Sequence, residues 1–202
     1  MNGPAEVKQE GESVFREIMP TSLLGVGALL RTRTGGTLQV TFLPSALAGL
    51  SEETELQIDE LTLTKDGNET GNDVRSSIVR LRLLRGTMHA LLVRLGAAPS
   101  DLTIKTPHGA VIAGSDCFFF LNVDDRRTRI TCIQGRVITR FERSDYTVEA
   151  GSFQEFPSSH LSPRAAEEDA QAQREVTTDA DHALQSLAGH QRLLRRPEFL
   201  DR

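Results

Sequence analysis

The sequence predicts an all-β fold, a β-sandwich or short β-solenoid of short strands, followed by a polar helical or disordered C-terminal tail. Three observations lead there. Segments with period-two alternation recur from about Leu29 to Phe156, each bounded by Gly, Pro, Asp or Asn. None of the intervening segments has room for a crossover helix, so a parallel βαβ arrangement is not expected. After Phe156 the alternation stops, and Ala, Glu, Gln and Arg dominate. The expected organisation is a polar N-terminal segment over 1–22, an all-β domain over 23–157 and a tail over 158–202.

In Thr37–Phe42, Leu38, Val40 and Phe42 alternate with polar neighbours, so one face meets a core and the other meets water. Ile78–Leu84 repeats the pattern, with Val79, Leu81 and Leu83 opposing Arg80 and Arg82. Leu102–Thr106 follows, and Leu56–Ile58, Leu61–Leu63, Met88–Val93 and Ala110–Ala113 are shorter candidates. Cys117–Val123 is apolar on both sides, as a central buried strand is. It breaks at Asp124-Asp125-Arg126-Arg127 and resumes at Arg129–Ile133, Arg136–Phe141, Tyr146–Glu149 and Phe153–Phe156. Pro44–Glu53 reads as a loop or short helical turn, and the polar Lys65–Ser76 as an insertion. In the tail, Ser162-Pro163 resembles a helix start, and Leu184, Leu187 and Leu194 fall on one helical stripe.

Composition narrows the function. Net charge is −5, from 23 basic and 28 acidic residues, which argues against a nucleic-acid partner. Arg80, Arg82 and Arg85 read as a solvated strand face, because no aromatic residue interleaves with them. Nine Phe, one Tyr and no Trp suit a core better than a sugar- or base-stacking platform. No apolar run is long enough for a membrane-spanning helix. The acidic N-terminus lacks the pattern of a secretory signal, which fits a cytoplasmic protein or one whose signal was removed. Cys117 and Cys132 are too few for a disulfide framework or a zinc site. They read as small buried hydrophobes.

No chemistry-bearing motif emerges. His89, His108, His160, His182 and His190 show no metal-ligand spacing, and His89 and His108 read as surface residues. Gly114-Ser115-Asp116 reads as a strand-to-strand turn rather than a nucleophile, and Asp124-Asp125 as a charge-balanced hairpin tip. No catalytic, cofactor-binding or metal-binding residue is assigned, and no cofactor is expected.

The order of turns from Leu81 to Phe156 carries more information. Leu84-Arg85-Gly86 precedes one strand, and Lys105-Thr106-Pro107-His108-Gly109 and Ala113-Gly114-Ser115 follow. Ile133-Gln134-Gly135-Arg136-Val137 and Val148-Glu149-Ala150-Gly151-Ser152 complete the series. In this order the chain resembles the FecR domain family, over roughly Gly27 to Phe156. Ala113-Gly114-Ser115 stands where that family has Arg-Gly-Thr, and Gln134-Gly135 where it has Glu-Gly. The resemblance implies a non-catalytic all-β binding domain, periplasmic or otherwise extracytoplasmic. Its expected role is signalling or regulation through a protein or cell-envelope component. The alternative is a structural or assembly protein that oligomerises through strand edges or its tail. A small β-domain enzyme is the third reading.

Four structural expectations follow. Gly86, Gly109, Gly114, Gly135 and Gly151 should lie at turns, several with positive φ. Phe118, Phe120, Leu81, Leu83, Ile104, Ile130 and Val137 should share one core. A two-residue turn at Asp124-Asp125 should place Cys117 opposite Cys132 as neighbouring, unbridged thiols. The tail should dock loosely, with its leucines reserved for another chain.

Overall fold

The computed structural model describes residues 3–20, 22–65, 74–94, 99–158 and 162–194. In chain order the strands begin with β1 (Ala5–Lys8), β2 (Arg16–Glu17), β3 (Leu29–Thr32), β4 (Leu38–Leu43) and β5 (Ala46–Leu50). They continue with β6 (Glu55–Lys65), β7 (Val74–Leu92), β8 (Ser100–Thr106), β9 (Gly109–Ala113) and β10 (Cys117–Val123). Then come β11 (Thr128–Gln134), β12 (Arg136–Phe141), β13 (Ser144–Glu149), β14 (Ser152–Phe156) and β15 (Arg164–Ala165). Helix α1 (Ala170–Arg174) passes through a π-helical turn, Glu175–Asp179, into α2 (Ala180–Leu194).

The strands form two sheets that share β7. Sheet one runs β2-β1-β3-β6-β7-β8-β9-β12-β13. Sheet two runs β4-β5-β7-β10-β11-β14-β15. The all-β prediction holds, in its sandwich form. One core separates the sheets: Leu56, Ile58, Leu81 and Ile104 from sheet one meet Met88, Phe119, Leu121 and Ile130 from sheet two.

β7 explains the topology. Its first half pairs with β6 in sheet one, as far as Arg85 opposite Glu55. From Gly86 it pairs with β10, and from Met88 with β5, both in sheet two. Gly86 makes the switch with φ of 95°, a backbone that L side chains disfavour. A Cβ there would also fall within 2.5 Å of the Thr54 Cα. Thr54 spans the bend: its hydroxyl donates to the Thr87 carbonyl at 3.1 Å and accepts the Thr87 N–H at 3.0 Å. Gly86→Ala is therefore expected to destabilise by more than about 1 kcal/mol, measured by urea denaturation. A neutral substitution would show that the bend tolerates a side chain.

β8 then returns to sheet one parallel to β7, Ser77 opposite Ser100. A parallel pair without a helical crossover was not expected. The second half of β7 is itself the crossover, because it carries the chain into sheet two and away from its own first half.

Several expectations fail for identifiable reasons. Pro44–Glu53 is not a loop, since Ala46–Leu50 is strand β5, buried along its length. Its small residues lack a strand signature because packing on both sides leaves no room for larger ones. Phe118 and Phe120 are buried, but outside the inter-sheet core, whereas Phe119 points into it. A strand covered on both faces gives no polar residue from which to read the phase. The N-terminal segment is not wholly an extension: β1 pairs with β3, and Ala5, Val7 and Ile18 are buried. Ser162-Pro163 does not start the helix either. β15 and a 3-10 turn over Ala166–Glu168 intervene, and Asp169 is the N-cap of α1, accepting from the Gln171 and Ala172 amides.

The hairpin between β10 and β11 is longer than predicted. Asp124–Arg127 forms a four-residue turn closed by Asp124 N–H to Arg127 C=O at 3.0 Å, so Val123 pairs with Thr128. An irregularity between Phe118 and Phe119 shifts the register further, and Cys132 faces Phe119 while Cys117 pairs with Leu92. Both cysteines are buried free thiols, and burial pushes each up to about 12.

Candidate functional site

The outer face of sheet two is apolar and is covered by the C-terminal helical segment. Leu47, Phe118 and Phe120 present their side chains there, flanked by Leu91 and Ile133. Ala180, Ala183 and Leu187 of α2 cover them, with Leu184 at the margin. The three- and four-residue spacing puts these positions on one helical stripe. Leu187, expected to find its partner in another chain, is fully buried against this sheet. Leu194 lies outside the residues whose side chains are described.

The segment is also tethered by charge. Arg129 of β11 is 5% exposed, donates to Glu155 at 3.2 Å and pairs with Asp169. Its guanidinium and that of Arg164 lie over the Phe153 ring, 4.7 and 4.5 Å from the centroid. The Arg129 guanidinium foremost, together with the Ala172 and Gln171 amides, holds the Asp169 carboxyl well below the usual range, at about 2. Because the folded value is depressed, this pair stabilises fully above the ordinary Asp range of about 4. That contribution is lost as the pH falls from about 4 to about 2. Asp169→Ala removes both the cap and the pair. It is expected to cost at least about 1 kcal/mol in urea denaturation at neutral pH, the typical size of a lost N-cap alone.

Between the helical segment and sheet two runs an open groove of about 390 Å³. Leu50, His89 and Phe120 line the sheet side, and Glu175, Asp179 and His182 the helical side. Gly49 lies opposite His89 in the pairing of β5 with β7, and a Cβ there would run into the imidazole ring. His89 contacts the rings of Phe118 and Phe120, with centroids 6.3 and 5.6 Å away. Burial lowers its pKa from 6.5 to about 4, so it is neutral at physiological pH. The reading of His89 as a surface residue fails because β7 looked half-exposed, and only the helical segment covers that face. His182, from the tail, lies at the rim of the same groove.

The groove has unmet polar groups. Glu175 is 6% exposed; its Oε1 accepts from Gln171 at 2.9 Å, but its Oε2 has no partner. The buried Nε2 of His89 also lacks one. Thr41, Arg129 and Thr131, on the same face of sheet two but outside the groove lining, also have one unpaired atom each. Glu175 and Asp179 begin and end the π-helical turn, where an extra residue widens the helix, a feature frequent at functional sites.

The five glycines singled out in the sequence lie apart from this groove. Gly86, Gly135 and Gly151 have φ of 95°, 74° and 77°, while Gly109 and Gly114 lie outside the left-handed region. Gly86 falls within β7 rather than at a hairpin turn. His108 meets the Thr128 hydroxyl at 3.1 Å, and Ser115 accepts the Ser100 amide at 3.1 Å. Asp124 accepts the Arg126 and Arg127 amides at the hairpin tip, which, with the Arg126 bond foremost, lowers its pKa. Arg80, Arg82 and Arg85 pair with Glu60, Asp59 and Glu55 across β6, as a solvated face does. Among the described residues, no three His, Cys, Asp or Glu groups converge as metal ligands. No described helix is long and apolar enough to cross a membrane.

A second surface lies at the open edge of sheet one. Val14, Met19, Leu23 and Val26 are exposed, Leu23 by 90%, around the edge strand β2. Sequence reasoning passed over them because they are dispersed and show no period.

No protein-family model matches the chain, and no curated protein matches it. Among solved structures, a crystal structure of a candidate anti-sigma factor from Parabacteroides distasonis matches with a TM-score of 0.50 and 13% identity. A second crystal structure of a candidate anti-sigma factor from that organism gives 0.48 and 12%. In each case the match covers 68% of this chain and 59% of the other, so this chain spans about three-fifths of their length. The first likeness concerns the fold. It agrees with the all-β architecture described above.

Proposed function

We propose that the chain is a FecR-like, non-catalytic binding module that acts in regulation or signalling at the cell envelope. The observation that carries this reading is the stretch from Val14 to Val26. It holds four exposed apolar side chains beside an open strand edge. Exposed apolar groups and unpaired strand edges are the usual marks of a protein-interaction surface. The order of glycine-bearing sequence segments from Gly86 to Gly151 and the fold shared with a candidate anti-sigma factor add support.

The same edge supports the second reading, self-assembly, and one experiment separates the two. A photo-crosslinking residue at Leu23, in cells expressing the native gene, is expected to capture a different protein in the envelope fraction. Met19→Asp should abolish that crosslink. Light scattering over a concentration series should meanwhile show a constant monomer mass. Growth in mass with concentration, suppressed by Met19→Asp, would replace the first reading with assembly. A crosslink that survives Met19→Asp, or a protein confined to the cytosol, would overturn the proposal.

A further inference from the structure

We infer that the groove between sheet two and the helical segment binds an organic cation carrying an ammonium or guanidinium group. Two carboxylates, Glu175 and Asp179, stand on its helical wall, and none of the residues lining it is Lys or Arg. Glu175 supplies the specific demand. A carboxylate oxygen shut away from water without a donor is costly, and buried acceptors are almost always satisfied. Its Oε2 has no donor among the described residues, while Gln171 engages only Oε1. An N–H of a bound cation supplies the missing bond together with the balancing charge.

The floor suits the same ligand. Phe120 lines the groove beside a neutral His89, offering an aromatic ring to which a cation is attracted through the quadrupole. Ser51 and Thr87 add hydroxyls on the sheet wall; the Thr87 hydroxyl already accepts from Asn122 at 2.6 Å, and each has acceptor capacity for a remaining N–H group. Exposed Asp179 and His182 lie at the mouth, so the charge that attracts the ligand is at the entrance and the one that holds it is inside. The cavity volume falls within the range of ordinary small-molecule sites.

The cation arrives either as a free amine or as the Arg or Lys side chain of a peptide. In both cases it bridges the helical segment and the sheet, so binding stabilises their docking by linkage. The site is separate from the apolar edge of sheet one, and its failure leaves the binding-module reading untouched.

The test uses the full chain titrated by NMR and calorimetry with agmatine, and separately with an acetylated, amidated pentapeptide containing one Arg. Saturable shifts of the Gly49, Phe120 and Ala183 amides are expected, with a rise in melting temperature. Glu175→Gln should weaken binding about tenfold, the size of a lost charge-assisted hydrogen bond. Asp179→Asn, on the exposed rim, tests the same charge without disturbing a buried group, and should weaken binding less. A response to agmatine alone assigns a free amine, and a response to the peptide alone assigns a side chain. No saturable shift with either probe at millimolar concentration overturns the inference. So does affinity that is unchanged in both variants.

Discussion

Phe118→Ala is expected to lower the melting temperature by roughly 10 °C, and ending the chain at Phe156 by at least as much. Phe118 is fully buried between sheet two and α2, and truncating a buried Phe costs about 3–5 kcal/mol. For a chain of this size each kcal/mol shifts the midpoint by about 2–4 °C. Removing the helical segment uncovers Leu47, Phe118 and Phe120 together and strips Arg129 of Asp169. That also removes one of the two carboxylates with which Arg129 pairs. The sequence alone led to the opposite expectation, a tail whose loss leaves stability nearly unchanged. Calorimetry of the truncated chain decides between them, and a shift of only one or two degrees would show that α2 docks weakly. Leu187→Asp should reproduce most of the loss without shortening the chain, because it forces a charge into the same contact.

Acidification from pH 6.5 to 4 is expected to remove up to about 3 kcal/mol through His89 alone. Burial lowers the folded-state pKa to about 4, whereas the unfolded chain titrates near 6.5. The unfolded state therefore takes up the proton first. Stability is full above 6.5 and declines as the pH falls through the folded value. Glu175, Asp179 and His182 face His89 across the groove. The Asp169 pair does not contribute in this window, because it weakens only as the pH falls below about 4. Between pH 7 and 4 the denaturation midpoint of the wild type should fall progressively relative to that of His89→Leu, which has no titrating group at this position. Parallel curves would show that His89 titrates normally and that the groove is open to water around it.

The all-β class was legible because alternation over Leu38–Phe42 and Ile78–Leu84 reports a strand with one dry face whatever lies opposite. The inward positions Leu81, Leu83, Ile104, Ile130 and Val137 were legible for the same reason, and all five are in the core. The solvated setting of Arg80 and Arg82 followed from their phase against those leucines, whereas Arg85 shares the leucines' phase and meets Glu55 only through a register shift in the β6–β7 pairing. Buried, unbridged cysteines followed from their apolar setting, although their register did not.

Tertiary structure alone decided everything that depends on a second covered face. β5 and β10 are packed on both sides, so their sequences lose the contrast that reveals phase, and Phe118 and Phe119 exchange their expected places. The groove was invisible because its walls come from segments about fifty to a hundred and fifty residues apart, and neither shows a motif by itself. A local pattern records which side of a strand avoids water. It does not record what performs the covering, because apolar burial is non-directional and any apolar surface satisfies it. The chain determined that sheet two would have an apolar outer face, and only the folded molecule placed α2, Arg129 and Asp169 together to close it.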